Sequence, residues 1–357
     1  MVEPQPKKEL SQPTFLQNNI RASLLVTSPF LCNPPIERAR NTDMDASGKG
    51  IATIDDQLTT VGTDPLVSVV IPHYNDLEAL RVCVAGLHRQ TWPASRMEII
   101  VADNNSACGL EAVREAAPDC RIVHAPIQGA GPARNAGVRA SRGEILAFID
   151  SDCDPRPNWV ENGVRALSSF DFAGGHVETS PRDPLNITPV EAWEMVFGFD
   201  FERYILVEGY TGSGNMWVWR RVFDAVGGFR AGIAEDMDWS FRATAAGFRL
   251  GYQQDAVVRH LARTTWADLT TRWRRVLFEH YALAREKRLG LLRWAARTIS
   301  MPLSIAPHLG RVFSSDRLPD WRTKAGAASV LVAHRMWRTC IMAQLPFARI
   351  GNARGPV

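Results

Sequence analysis

From Val67 to Asp150 the chain keeps switching between two hydrophobic periods. "VSVVIP" is an apolar, β-branched run of strand length, and "NDLEALRVCVAGLHRQ" then sets Leu77, Leu80, Val84 and Leu87 at helical spacing. Asn75, with Glu78 three residues later, suits a helix start. "MEIIVAD", "RIVHA" and "EILAFID" repeat the strand character, while "GLEAVREAA" and "GPARNAGVRAS" repeat the helical one, the latter with Pro132 in its first turn. Strands alternating with helices imply an α/β fold, with a mostly parallel sheet covered on both faces. Ligands of such sheets bind beyond the carboxyl ends of the strands. Tyr74 with Asn75, Asp103 with Asn104, and Asp150 with Asp152 all stand at such ends, so the three pairs are expected to face one crevice.

The rest of the chain frames that segment. Residues 1–64 mix Pro, Asn, Ser and charge without a steady period and read as a weakly ordered extension. Residues 65–265 form the α/β unit: "FAGGHVE" suits a strand, "TPVEAWEMVFGFDFERY" one helix, "GYTGSGNMWVWRR" a glycine-rich loop entering a strand, and "AEDMDWSFRATAAG" a helix closed by Gly247. Residues 266–357 are helical, basic and tryptophan-bearing. A net charge of +3 gives no case for a nucleic-acid partner. Six scattered cysteines without a C-x-x-C pair favour a reducing cytosol, and no apolar run reaches the roughly 18 residues a spanning helix needs.

Three acids at every second position, Asp150, Asp152 and Asp154, would converge on one face of an extended segment. They read as a polar turn, as the nucleophile and acid of a phosphatase, or as hard ligands for magnesium or manganese on a nucleoside diphosphate. Glu235 and Asp236 begin a helix, where the dipole favours the ionised carboxylate and makes a weak base. "GAGPARNAG" approaches a dinucleotide fingerprint, but Arg134 takes the third glycine position and the segment follows the third strand. Arg134 near a helix start is better placed to meet a phosphate or a base. His260 ends an apolar run and is either a satisfied core histidine or a cation ligand.

Taken in order, "VSVVIPHYND", "IIVADNNS", "GPARNAG", "FIDSDCDPRPNWV", "GSGNMWVWRRVFDAVGGF", "AEDMDWSFRATAAGF" and "VVRH" resemble the successive motifs of glycosyltransferase family 2, nucleotide-sugar transferases of the GT-A fold. The resemblance implies that Pro72, Tyr74 and Asn75 line the nucleotide pocket, that Asp103 reads the uracil edge, that Arg134 closes over the nucleotide and that Asp150 contacts the ribose side. It puts Asp152 and His260 on a divalent cation, manganese or magnesium, and Gly214 and Asn215 in the loop near donor sugar and acceptor. Asp236, beside Glu235, becomes the catalytic base of an inverting displacement.

The partners implied are a nucleotide-sugar donor, UDP-linked by preference, and a glycan or lipid-linked acceptor in polysaccharide or glycolipid assembly. "LTTRWRR" resembles the Q-x-x-R-W element of processive synthases, with Leu269 in place of Gln, which leaves Arg272 and Trp273 as acceptor or phosphate candidates and predicts one sugar per encounter. The basic helices beyond Thr265, with Arg272, Trp273, Arg288, Arg293 and Trp294, suit a solvated face or an anionic membrane surface at the inner side of the cell membrane. A catalytically silent relative that binds nucleotide sugars or scaffolds an assembly is the competing expectation.

Overall fold

The computed structural model describes residues 64–348. The expected extension over 1–64 therefore lies outside the described residues, Asp64 excepted. Four parallel strands, β1 (Val67–His73), β2 (Met97–Asp103), β3 (Arg121–His124) and β4 (Ile145–Ile149), form one half of the sheet. Beyond β4 run β7 (Asn215–Trp219), β6 (Phe172–Ser180), β8 (Leu250–Leu261) and the short β5 (Cys153–Pro155), giving the order β3-β2-β1-β4-β7-β6-β8-β5. β7 pairs antiparallel with both β4 and β6, which makes the sheet mixed.

Period-two alternation between two buried faces explains why β1 is mostly apolar. Val67, Val69 and Ile71 enter one core cluster with Leu80, Val84 and Leu87 of α1 (Leu77–His88), whereas Val70 enters the opposite one with Phe148 and Trp239. Both faces of the sheet are thus covered. The α1 cap is Asp76, not Asn75: its side chain accepts from the Ala79 N–H at 3.0 Å. Asn75 instead adopts φ +63° and accepts from the Ala107 N–H at 2.7 Å, tying the β1 and β2 loops together.

The single helix expected from Thr188 to Tyr204 is two, α5 (Pro189–Phe197) and α6 (Phe201–Leu206). α5 begins with a full capping box between Thr188 and Glu191. The break turns Phe199 toward His260, with ring centroids 4.7 Å apart. The remaining helices before the C-terminal region are α2 (Gly109–Ala116), α3 (Ala130–Ala140), α4 (Trp159–Ala166), α7 (Arg220–Val226) and α8 (Glu235–Ala245).

Four further helices follow: α9 (Trp266–Glu286), α10 (Gly290–Leu303), α11 (Ile305–Phe313) and α12 (Trp321–Gln344). α9, α11 and α12 share an apolar core with α5, in which Val190, Trp193, Leu269, Val312, Ala327 and Leu331 meet, while α10 packs on α9 and α12 through Trp294 and Met301. Fully buried Glu194 of α5 adds a polar tie, accepting from the Arg263 backbone N–H at 2.8 Å and side chain at 3.1 Å, with Arg272 at 3.5 Å. Trp294 is also internal, donating to the Met342 carbonyl at 3.1 Å. Arg272, Trp273 and Trp294 are therefore not parts of an outward basic face. No helix among the described residues is long and apolar enough to cross a membrane.

Candidate active site

A cleft of about 540 Å³ opens where the carboxyl ends of β1 and β4, the loop before β7 and the first turn of α8 converge. α9 closes it from above with Arg272, Trp273, Val276 and Glu279. Pro72, Tyr74, Arg134, Asp150, Asp152, Gly214, Glu235, Asp236 and His260 all reach this space, so most of the expected site assembles.

Asp150 and Asp152 face the cleft, but Asp154 does not. The chain turns after β4, where the Cys153 N–H donates to the Asp150 carbonyl at 3.1 Å, so the extended geometry behind the expected convergence is lost. Asp154 accepts instead from Arg89 and Arg259, at 3.3 and 2.9 Å. Asp152 Oδ2 lies 3.1 Å from His260 Nε2, a pair brought together from β8 and the turn. Burial opposes ionisation of Asp152, but His260 and Arg263 outweigh it and hold the carboxyl well below its usual range. The buried Nδ1 of His260 has no hydrogen-bond partner. Among the described residues no group of three or more His, Cys, Asp or Glu is arranged to hold a metal ion.

Arg134 is more confined than its sequence position implies. Its guanidinium is 4% exposed and bridges Asp150 at 2.5 Å and Glu235 at 3.2 Å, tying α3 to the β4 end and to α8. Burial disfavours its charge, but the two carboxylates outweigh that and raise its pKa. Gly214 keeps the neighbouring space open: a Cβ there would come within 2.6 Å of Asp150 Oδ2.

Asp236 corrects an expectation. The helix start was expected to favour its ionised form, yet burial, and then the Glu235 charge beside it, push its carboxyl up to about 6. The Met237 N–H donating at 2.8 Å and Arg134 only soften that shift. Burial, with the adjoining Glu235 charge, outweighs the helix dipole at this first turn.

Three expected residues do not line the cleft, and Asn75 is one of them, its side chain held instead by the Ala107 N–H at 2.7 Å. Asp103 is 2% exposed and lies behind the cleft wall, with one oxygen 3.0 Å from His73 Nδ1 and the other accepting from the Ser106 N–H at 3.2 Å. The neighbouring His73 and Asn104 line the cleft in its place. Asn215 is fully buried, accepting from Trp159 Nε1 at 2.8 Å and donating to the His176 and Ala256 carbonyls at 2.9 Å. It fastens the sheet rather than facing a ligand.

Sequence reasoning missed Glu279, which burial and then Glu235 push up to about 8. Its signal was present: Arg272, Val276 and Glu279 recur at helical spacing and share one face of α9. Arg272 itself lies over the Phe199 ring at 4.4 Å; Phe199 and Tyr204 line the cleft, whereas Trp193 and Phe197 belong to the helical core.

A mixed sheet of this topology, carrying acids at its β4 end and a helical cover, is the GT-A fold of nucleotide-sugar transferases. The mannosyltransferase PcManGT from Pyrobaculum calidifontis, solved in complex with GDP-Man and Mn2+, shares that fold with a TM-score of 0.51 at 20% identity, over 80% of this chain and 86% of that one. Residues 68–227 match the family model for glycosyl transferase family 2. Glycosyltransferase AglE of Haloferax volcanii is 33% identical over 210 residues, spanning 56% of this chain and 68% of that protein. The pre-mycofactocin glycosyltransferase of Mycobacterium tuberculosis is 30% identical over 221 residues, spanning 58% of this chain and 45% of that protein. The chain belongs to glycosyltransferase family 2 and is a glycosyltransferase.

Proposed function

We propose that the protein is an inverting, cation-dependent transferase that moves a sugar from a nucleoside diphosphate to a hydroxyl of a glycan or lipid-linked acceptor. The observation that carries this reading is Asp236, whose carboxyl, raised to about 6, lines the same cleft as the Asp152 and His260 pair. A carboxylate of that basicity remains ionised near neutral pH and is a better proton acceptor than an unperturbed one. Asp236 takes the acceptor proton as the hydroxyl oxygen attacks the anomeric carbon from the side opposite the leaving diphosphate. An α-linked donor then gives a β-linked product.

Asp152 and His260 would hold manganese or magnesium through a carboxylate oxygen and an imidazole nitrogen, donor types that suit such an ion. When bound, such an ion supplies positive charge to the leaving diphosphate. Arg134 fixes Asp150 and Glu235, and Gly214 leaves room beside them for the donor. The Mn2+ and GDP-Man held by PcManGT support a cation-bridged nucleoside diphosphate. Asp103, behind the wall, fixes the His73 ring that lines the cleft, and both UDP- and GDP-sugars are donors to try.

Calorimetry of UDP and GDP with and without manganese, on the wild type and on Asp152→Ala, tests the reading. Manganese-dependent binding that the substitution removes supports it. Identical titrations for the two proteins would sink it.

A further inference from the structure

A second cavity of about 520 Å³ lies beneath α10, α11 and α12, and it shares Tyr204, Tyr210, Met237, Trp273 and His280 with the cleft. Its walls hold Arg203, Arg297, Arg311, Arg335 and Arg338 against two carboxylates. Those carboxylates are committed: Glu208 pairs with Arg203 at 3.0 Å and Asp200 with Arg311 at 2.9 Å. Among the described residues no carboxylate lies within 4.0 Å of the guanidinium groups of Arg297, Arg335 or Arg338. Arg338 is 4% exposed and its Nε has no hydrogen-bond partner, as is true of Arg335 Nε. The Trp273 ring, 4.0 Å from the Arg338 guanidinium carbon, supplies a π face but no acceptor.

Buried arginines without carboxylates are costly to a fold. Their planar forks match the oxygens of phosphate esters, and several together match a multiply charged one. Burial, and then the neighbouring arginines, lower the pKa of Arg338 and bring that of Arg335 to about 10, which expresses the same uncompensated positive field. An apolar track leaves this chamber: Leu303 stands on its rim, and Ile299 and Leu292 continue the same face of α10, each more than two-thirds exposed.

We infer that this chamber receives the phosphate or diphosphate group of the acceptor, while the acceptor's apolar chain lies along Leu303, Ile299 and Leu292. The inference rests on the reading of the neighbouring cleft as the place of sugar transfer, and it narrows the acceptor to a lipid-linked phosphate. The shared wall would bring such an acceptor's head group beside Asp236.

The test is calorimetry on the full chain in metal-free buffer, with inorganic pyrophosphate, farnesyl diphosphate and farnesol as probes. The wild type is expected to bind farnesyl diphosphate at least tenfold more tightly than pyrophosphate, and farnesol more weakly than either. Arg335→Met with Arg338→Met should weaken both diphosphates at least tenfold, and Arg338→Lys should retain part of the affinity. Ile299→Ser with Leu303→Ser should bring farnesyl diphosphate down to the pyrophosphate level.

Equal diphosphate binding by the wild type and the double methionine variant would overturn the inference. Equal affinity of the wild type for pyrophosphate and farnesyl diphosphate would overturn the lipid part, leaving a site for free phosphate. Thermal melts check the fold: the methionine variants should melt no lower than the wild type, because a mismatched charge has been removed. A melt far below it would mark the arginines as structural and overturn the inference as well. Manganese-dependent nucleotide binding, measured on the same wild-type protein, reports separately on the cleft.

Discussion

Arg134 in the cleft and Arg338 in the helical chamber are both 3–4% exposed, yet they solve burial in opposite ways. Arg134 is neutralised by Asp150 and Glu235, which are already in place. Arg338 has an aromatic face and, among the described residues, no carboxylate partner. The first arrangement is balanced by carboxylates of the protein itself. The second leaves charge that an incoming anion would satisfy. On the readings proposed above, charge pairing separates the half of the molecule assigned to sugar transfer from the half assigned to seating the acceptor.

The largest effect should come from the chemical half. Asp236→Asn is expected to lower single-turnover transfer by about 10² to 10⁴-fold, the range of a general base. Its nucleotide affinity should be unchanged by calorimetry. A loss of affinity of similar size would erase the division of labour. Next, Asp152→Ala or His260→Ala should weaken manganese-dependent nucleotide binding by about 10 to 100-fold. Neither should alter pyrophosphate binding in metal-free buffer.

Stability sharpens the contrast between the two arginines. Arg134→Met strands Asp150 and Glu235, and denaturant titration should show a loss of roughly 1–3 kcal/mol, discounted because those carboxylates are 40% and 19% exposed. Arg338→Met strands nothing and should leave stability within about 1 kcal/mol of the wild type or above it.

The smallest effect concerns pH. With Asp236 at about 6, kcat/KM should hold above that value and fall as pH drops through it. The folded pKa lies above the unfolded one, so this carboxyl favours the fold at low pH, and that contribution is lost as pH rises from the usual aspartate range through about 6. Asp236→Asn should therefore melt higher than the wild type at pH 7 while melting alike at pH 3.

The sequence disclosed what depends on period and strand ends: the sheet, its covering helices, and Arg134, Asp150, Asp152, Asp236 and His260 around one cleft. It misled where a side chain's direction depends on a turn. Asp154 was expected beside Asp152, but the chain bends after β4 and sends it to Arg89 and Arg259. Asp103 and Asn215 have the expected positions, yet hydrogen bonds from the protein hold both away from the cleft. The basic C-terminal residues were legible as charge but not as direction, because only the packing of these helices on α5 and on one another decides which arginines face inward. The raised pKa of Asp236 was hidden for a related reason, since burial is a property of the assembled wall.

Tyr204, Tyr210, Met237, Trp273 and His280 belong to the cleft and the chamber at once. A ligand that shifts this partition alters the other compartment's boundary, so two separately measured affinities cease to be independent. Linkage then fixes an equality: whatever factor a bound lipid diphosphate imposes on the nucleotide's dissociation constant, the nucleotide must impose on the lipid's.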